Sequence, residues 1–316
     1  MLIARHGWLS PLVLRQPRQG ISLPKVMSSL AYASAQLHGN GQTRPNRQNY
    51  TQSLQSRFHM IVDPFSLLLV LLGPFVGSFL AVLADRLPRG ESVVLARSHC
   101  RSCHFDLPFR DLIPIWSYVM RRGKCRFCGA SIPPWLLYTE IAATGIAILS
   151  VLANSDPVLA WLDAVFLWLL LTLAVTDLTR FRLPDLLNGI LLAVAMLLSL
   201  LPGGIGPEAA LIGALIGVGS FWALRFAYHR LRGVEGLGLG DVKLMAGLGA
   251  FAGPLDLPLL VLLAALSGLA GGLIFHLTGR ARSDAPPLGK RALPFGASLC
   301  GAAAVLWFLR VMAWWP

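Results

Sequence analysis

The sequence predicts an all-α polytopic membrane protein with about eight transmembrane helices and a cytoplasmic zinc-binding domain in the loop between the first two. Of its 316 residues, 55% are hydrophobic and only 13% are charged, whereas about a quarter of the residues of a soluble domain are charged. Apolar segments of about 20 residues, the length that crosses a bilayer, recur along the chain. The loops between them alternate between basic and uncharged.

These segments divide the chain into four parts: an extension at 1–59, the first transmembrane helix at 60–84, a cysteine-containing loop domain at 85–134 and a helical membrane core at 135–316. The predicted spans are 64–83, 135–153, 157–176, 185–201, 208–229, 241–253, 257–278 and 292–314. The sixth is short and rich in glycine, so a tilted or incomplete span is the alternative there.

Basic residues predict the side of the membrane on which each loop lies. The loop 84–134 carries nine Lys and Arg residues, and the loops after the third, fifth and seventh spans are also basic. The loops 154–156, 202–207 and 254–256 carry none. Cytoplasmic loops are enriched in Lys and Arg, so the basic loops are predicted to be cytoplasmic, with both ends of the bundle outside. Basic clusters between apolar spans also explain the net charge of +12 without a nucleic-acid partner.

Residues 1–59 break this rule, because they hold seven basic and no acidic residues on the side predicted to be outside. Their richness in Gln, Ser, Asn and Arg is typical of disorder, and no convincing signal-peptide core is present. Two interpretations stay open: an unstructured extension, or a translation start near Met60, just before the first span.

Four cysteines form two Cys-x-x-Cys pairs in the first basic loop, Cys100 with Cys103 and Cys125 with Cys128. This spacing suits a tetrahedral zinc site with four thiolates. Disulfides are the alternative, but thiols stay reduced in the cytoplasm. Four thiolates leave no open position for a reacting water, so the zinc is predicted to be structural. Cys300, in the last apolar span, is predicted to be a small buried residue.

Two aspartates stand out because ionisable groups inside a membrane are costly and therefore indicate function. Asp177 ends the third predicted span and Asp241 opens the sixth, so both are predicted to lie at the cytoplasmic edge. Glycines at 236, 238 and 240 allow the backbone before Asp241 to approach other groups closely. Two carboxylates in contact share one proton. The charged member can then activate water while the protonated one polarises a peptide carbonyl, which makes the pair a candidate catalytic site.

Helix capping is the alternative role for an acidic residue at a helix end. Asp241 alone could be an N-cap, and Asp185, which follows Pro184, is predicted to be an N-cap rather than a catalyst. Asp163 and Glu208 fall near the outer edge and are predicted to be interfacial or caps.

In their chain order, these motifs resemble those of the prepilin peptidases, the family of type IV prepilin leader peptidases and N-methyltransferases. The resemblance runs from about Gly73 to the C-terminus. Besides the cysteine pairs, it rests on Gly-Ser-Phe-Leu at 77–80, Ile-Pro-Ile-Trp-Ser-Tyr at 113–118, Asp177 with Leu-Pro-Asp at 183–185, Gly-x-Gly-Asp at 238–241 and Leu-Pro-Phe-Gly at 293–296. The family usually has Asn after Gly-Ser-Phe-Leu, where this chain has Ala81.

The resemblance implies a multi-pass protein of the bacterial inner membrane, surrounded by lipid, that acts as an aspartic endopeptidase through Asp177 and Asp241. Its substrates would be type IV prepilins or type II secretion pseudopilins, whose basic leader is removed on the cytoplasmic side. The resemblance also implies methylation of the new N-terminus with S-adenosylmethionine as cofactor, and it links Gly123 and Lys124 to that step. A simple turn before the second cysteine pair is the alternative for these two residues. The sequence leaves open which pilin is cut, whether methylation is retained and the oligomeric state.

Two other functions stay open. A proton-coupled transporter would use the aspartates as a relay, but it predicts internal repeats and acids at the midplane, whereas we find no repeat and the acids lie at one edge. A membrane assembly protein would dock partners on the zinc loop and would not need both aspartates. Cleavage of a prepilin distinguishes a peptidase from both.

Overall fold

The computed structural model describes residues 63–93, 97–233, 236–277 and 294–312, and their regular structure is helical. The predicted all-α fold is confirmed for this part of the chain. The interpretations of residues 1–59 and of Met60 lie outside the described residues. The helices are α1 Pro64–Arg86, α2 Trp116–Met120, α3 Pro134–Ala153, α4 Pro157–Arg180, α5 Asp185–Leu200, α6 Pro207–Arg232, α7 Leu239–Leu277 and α8 Phe295–Val311.

Aspartate and proline fix where several helices begin. The Asp63 carboxylate accepts the backbone N–H groups of Phe65 and Ser66, both at 3.1 Å, at the start of α1. Asp156 accepts the N–H of Val158 at 2.8 Å at the start of α4. Each of these helices, like α3 and α6, has proline in its first turn, where its missing N–H costs nothing.

Among the described residues, five helices are long and apolar enough to cross a membrane, namely α1, α3, α4, α6 and α7, and α5 and α8 are shorter apolar helices. Leu67, Leu71 and Phe75 on the outer face of α1 are each more than half exposed. Such a surface is costly in water and suits contact with lipid. The predicted membrane character is therefore confirmed, and the count of eight spans stays a prediction.

Helix α7 reverses its direction at Gly253, whose backbone is non-helical with φ 71° and ψ 174°. Near the end of α8, Arg310 donates to the carbonyls of Phe251 and Ala252 at 2.8 and 2.7 Å. Near the start of α8, a Cβ on Gly268 would lie 3.2 Å from the Ser298 hydroxyl. Residues 254–268 therefore run back along α8 towards its start. Because the first half of α7 also runs antiparallel to α8, Asp241 lies at the end of the bundle at which α8 begins. The sixth and seventh predicted spans are the two halves of α7.

Helix α4 lies at the centre of the bundle. Its side chains belong to both hydrophobic clusters, one formed mainly by α4 to α8 and the other by α1, α3 and α4. Trp168 of α4 also donates its indole N–H to the carbonyl of Ala143 on α3 at 2.9 Å. Elsewhere in the bundle, α6 and α7 pack backbone against backbone, since a Cβ on Gly213 would clash with the Gly249 carbonyl oxygen. The helix that carries Asp177 is thus packed into both hydrophobic clusters.

The predicted orientation has a direct test. A reporter fused after Pro316 is expected to lie in the periplasm and one inserted at Phe105 in the cytoplasm, because the loop charges alternate at every predicted crossing. Fusions to a pair of reporters, each active on only one side of the membrane, measure the location of each site. A phosphatase and a fluorescent protein are such a pair. A cytoplasmic reporter after Pro316 would contradict the eight-span arrangement.

Candidate active site and cysteine site

Asp177 lies at the inner surface of the bundle with 6% of its surface exposed. Helix α4 continues beyond it to Arg180, further than the predicted end at 176. The Asp177 carboxylate accepts the backbone N–H of Ala297 at 2.8 Å, in the first turn of α8. A Cβ on Gly296 would lie only 3.1 Å from the same carboxylate oxygen. The glycine therefore allows the N-terminus of α8, where N–H groups point outwards and favour negative charge, to approach Asp177.

Asp241 is the third residue of α7 and is half-buried. Its carboxylate is close enough to Asp177 for the two charges to interact, and the backbone N–H of Gly238 is hydrogen-bonded to it. The second contact is the one that an acidic residue in the first helical turn makes in a capping box. Asp241 therefore caps α7 and interacts electrostatically with Asp177 at the same time.

The contacts of Leu183 show how the turn after α4 meets the first turns of α7 and α8. A Cβ on Gly240 would lie 3.1 Å from the Leu183 Cβ, and a Cβ on Gly296 would lie 2.9 Å from its Cδ1. Gly240 precedes Asp241, and Gly296 contacts Asp177. The turn after α4 and the first turns of α7 and α8 therefore converge, and the two aspartates singled out in the sequence lie together at this convergence.

The prediction that Asp185 is an N-cap is wrong. Pro184 occupies the cap position of α5 and no side-chain capping bond is made there. The Asp185 carboxylate instead accepts the Lys243 ammonium at 2.7 Å, in an ion pair open to solvent. Glu208 lies in the first turn of α6. The Asp163 carboxylate accepts the Asn154 amide at 2.9 Å.

The four loop cysteines form one cluster, with all four Sγ atoms within 4.8 Å of one another. The Sγ atoms of Cys100 and Cys128 lie 3.7 Å apart. Tetrahedral zinc with Zn–S bonds of about 2.3 Å places its sulfur ligands about 3.8 Å apart, whereas disulfide sulfurs lie about 2.05 Å apart. All five cysteines of the chain are free. The cluster therefore fits a metal ion and not a pair of disulfides.

The two cysteine pairs have matching backbones. The N–H of Cys100 donates to the Phe105 carbonyl at 3.0 Å, and that of Cys125 donates to the Ala130 carbonyl at 2.8 Å. Backbone N–H groups of Cys103 and Ser102 lower the pKa of the Cys100 thiol to about 6, whereas desolvation and the neighbouring thiols raise the pKa of the Cys128 thiol to about 11. The four thiols therefore titrate as one cluster. Cys300 lies apart from the cluster and is 1% exposed, which confirms its prediction as a buried residue.

Gly123 and Lys124 lie in the turn that leads into the second cysteine pair. Gly123 has a positive φ of 67°, and a Cβ there would come within 2.8 Å of the Tyr118 hydroxyl. Lys124 forms an isolated antiparallel bridge with Ser131. The turn interpretation describes their backbone, and the link to methylation stays a prediction.

Sequence reasoning missed an ionic cluster that connects the cysteine loop to the helices. The Asp85 carboxylate, 13% exposed, pairs with Arg101 at 2.9 Å and with Arg180 at 2.8 Å. It also pairs with Arg89. Arg101 follows Cys100 directly, and Arg180 follows Asp177 by one turn of α4. Asp85 thus ties the cysteine loop to the helix that carries Asp177.

Two families match this chain. The one described as "Bacterial Peptidase A24 N-terminal domain" matches residues 71–154, which include all four loop cysteines. The one described as "Type IV leader peptidase family" matches residues 164–273, which include both aspartates. No solved structure matches the chain significantly.

Several relatives are named prepilin leader peptidase/N-methyltransferase. The one from Burkholderia pseudomallei (strain 1026b) is 37% identical over 226 residues, 71% of each chain. The one from Aeromonas hydrophila is 32% identical over 78% of this chain and 92% of the relative. The one from Dickeya chrysanthemi is 34% identical over 79% of this chain and 94% of the relative. The apolar helices and these relatives indicate a multi-pass protein of the bacterial inner membrane. The chain belongs to the type IV leader peptidase family, a family of aspartic peptidases.

Proposed function

We propose that this protein removes the leader peptide of type IV prepilins or type II secretion pseudopilins, with Asp177 and Asp241 as its catalytic pair. The observation that carries this proposal is the convergence of α4, α7 and α8, which brings the two carboxylates within range of electrostatic interaction. The loop charges predict that this convergence of helices lies at the cytoplasmic end of the bundle. The relatives' printed names give the substrate class.

Both aspartates lie at a helix N-terminus, but Asp177 is hydrogen-bonded to two backbone N–H groups, those of Gly296 and Ala297, whereas Asp241 is hydrogen-bonded to one, that of Gly238. This difference assigns their roles. Asp177 accepts the Ala297 N–H at the N-terminus of α8, and both the bond and the helix dipole favour its charged form. Asp177 is therefore the base that takes a proton from the attacking water. Asp241, beside that charge, carries the shared proton and gives it to the oxygen of the scissile carbonyl as water adds. A proton returned to the leaving nitrogen completes the cleavage.

The direct test is to mix membranes that carry this chain with a prepilin and determine the mass of the product. Loss of the basic leader at a single peptide bond is expected, with a free pilin N-terminus. An intact prepilin, with the chain shown to be in the membrane, would contradict the proposal and favour an assembly or transport role.

We further propose that the cysteine cluster binds one structural zinc ion. The purified chain is expected to release about one zinc on modification of its thiols, because four thiolates complete the coordination of one ion. Replacing Cys103 by Ser is expected to lower the zinc content and to make the loop sensitive to protease. Replacing Cys300 by Ala, outside the cluster, is the matched control and should leave the zinc content unchanged. Intramolecular disulfides in protein taken from cells would rule the zinc site out.

N-methylation of the new N-terminus is the second activity that we propose, since the relatives' names include it. S-adenosylmethionine would supply the methyl group. We propose that Gly123 and Lys124 contribute to methylation rather than to cleavage.

A further inference from the structure

Asn188 is a buried polar residue of α5 whose side chain makes no hydrogen bond within the described part of the chain. Only 4% of its surface is exposed, and neither its amide nitrogen nor its amide oxygen has a partner among the residues that the structure describes. Leaving both polar groups of a carboxamide unpaired inside a helix bundle is costly. Asn188 therefore lowers the stability of the fold, and a ligand that pairs with both groups would remove this cost.

Two contacts fix the height of Asn188 in the bundle. A Cβ on Gly240 would lie 3.1 Å from the Leu183 Cβ, and a Cβ on Gly247 would lie 2.9 Å from the Leu191 Cγ. Helix α5 and the first half of α7 therefore run side by side in the same direction, from the same end of the bundle. Asn188 lies between these two contacts, so it is level with α7 about four residues after Gly240.

This height places the carboxamide beneath the catalytic pair. Asp241 directly follows Gly240, so Asn188 lies about three residues, or about 4.5 Å, further into the bundle than Asp241. Helix α5 packs against both α4, which carries Asp177, and α7. Asn188 shares the buried face of α5 with Leu187, which belongs to one hydrophobic cluster with side chains of α4, α7 and α8.

A peptide that is cut at this depth needs hydrogen-bond partners from the protein. Its scissile segment has to be extended, because a helix keeps its carbonyls bonded to its own N–H groups and shields them from water. An extended chain between apolar helices has unpaired backbone N–H and C=O groups. The carboxamide of an asparagine offers both an acceptor and donors, so it can pair with the N–H and the C=O of one extended residue.

We propose that Asn188 binds the substrate backbone on the pilin side of the scissile bond, with its oxygen accepting a peptide N–H and its amide donating to a peptide carbonyl. The inference rests on the proposed function and adds a residue that recognises an extended peptide. The leader lies on the cytoplasmic side of the cleavage site, so the pilin part lies deeper, as Asn188 does. An extended chain rises about 3.3 Å per residue, which places the contact at the first or second peptide bond after the scissile one.

The start of α5 is loosely held, which allows a peptide to reach Asn188. Pro184 occupies the cap position, and no side-chain capping bond is made there. Asp185, in the first turn, pairs with Lys243 in an ion pair open to solvent, and such pairs contribute little to stability. The first turn of α5 can therefore move away from α7 at low cost and expose the carboxamide beneath it.

Replacing Asn188 by Leu, which has the same branching and no polar atoms, tests the assignment on the purified full chain in detergent. The KM for a prepilin fragment is expected to rise about 10-fold to 100-fold, the effect of losing two hydrogen bonds, with kcat nearly unchanged. The unfolding temperature is expected to equal or exceed that of the unaltered chain, because no unpaired polar group is left. A residue with a purely structural role would not weaken substrate binding without weakening the fold.

Ser199→Ala is the matched control. Ser199 lies on the same buried face of α5 at the far end of the helix, 5% exposed, and its hydroxyl donates to the Met196 carbonyl at 2.7 Å. Its replacement should leave KM unchanged. Asn188→Ala is the second variant, because it removes the carboxamide without adding bulk. It should raise KM as the leucine does, even if the smaller side chain lowers the unfolding temperature.

A change in the substrate identifies the contacted group. An ester in place of a peptide bond has no N–H to donate, so at the first or second bond after the scissile one it should raise KM for the unaltered chain. The same ester should not raise KM further for Asn188→Leu, because the two changes remove one interaction.

The outcomes separate this inference from the peptidase function. If the unaltered chain cleaves and both Asn188 variants keep its KM, the assignment is overturned and the peptidase function stands. An ester effect of equal size in Asn188→Leu and the unaltered chain at every bond tested overturns it as well. An unaltered chain that does not cleave the prepilin contradicts the peptidase function and this inference with it.

Discussion

Replacing Asp177 or Asp241 by Asn is expected to reduce leader cleavage by about 100-fold to 10,000-fold, the range that proton transfer by one positioned group contributes. Asn keeps the size of the side chain and accepts the Ala297 or Gly238 N–H through its amide oxygen, but it cannot take up or carry the shared proton. Cleavage of a prepilin by membranes with equal amounts of each variant measures the loss.

Asp185→Asn is the control for this experiment. Its carboxylate lies at the same end of the bundle, 72% exposed, and pairs only with Lys243 among the described residues. We expect near-normal cleavage, since an ion pair open to solvent contributes about 0–1 kcal/mol. The cleavage rate of Asp241→Asn also distinguishes catalysis from capping at position 241. Asn caps a helix about as well as Asp, so only the loss of a catalytic carboxylate would slow cleavage. Near-normal cleavage by Asp241→Asn would leave capping as its role.

Replacing Arg310 by Gln is expected to lower the free energy of unfolding by about 3–5 kcal/mol, the cost of leaving one member of a buried pair without its partner. Arg310 pairs with Asp256, which is 7% exposed, and donates to the carbonyls of Phe251 and Ala252 where α7 reverses. Its guanidinium also lies over the Phe251 ring, 4.8 Å from the centroid. Thermal unfolding of the purified chain in detergent measures the loss.

Adding Asp256→Asn to Arg310→Gln is expected to recover part of that stability, because the unpaired buried charge is then removed. Asp185→Asn again serves as the control and should unfold at nearly the normal temperature. An Arg310→Gln chain that unfolds with the unaltered protein would show that the reversal of α7 does not depend on this contact.

Sequence reasoning succeeded where the information is local. Helix α4 is a nearly unbroken apolar run between Pro157 and Arg180, and hydropathy alone predicts it. The spacing of Cys125 and Cys128 likewise predicts a cluster, because two cysteines in one tight turn already share a direction. Asp185 was misplaced by a single residue, since Pro184 takes the cap position and Asp185 enters the helix.

The features that sequence reasoning missed depend on residues far apart in the chain. The Asp85–Arg180 pair joins residues 95 positions apart, and Arg310 meets Asp256 across 54. No periodicity in one segment indicates such partners. The approach of Gly296 to Asp177 is of the same kind, although Leu-Pro-Phe-Gly was recognised as a motif. For the reversal of α7, a local signal was present in Gly253 followed by Pro254.

The most direct measurement of the central claim, that Asp177 and Asp241 act as one unit, is the rate of leader release by four chains: unaltered, Asp177→Asn, Asp241→Asn and the double variant. If the carboxylates share one proton, each single variant already removes the mechanism, and the double variant should be no slower than the singles. Losses that multiply in the double variant, or a single variant that releases the leader at the unaltered rate, would contradict the paired mechanism.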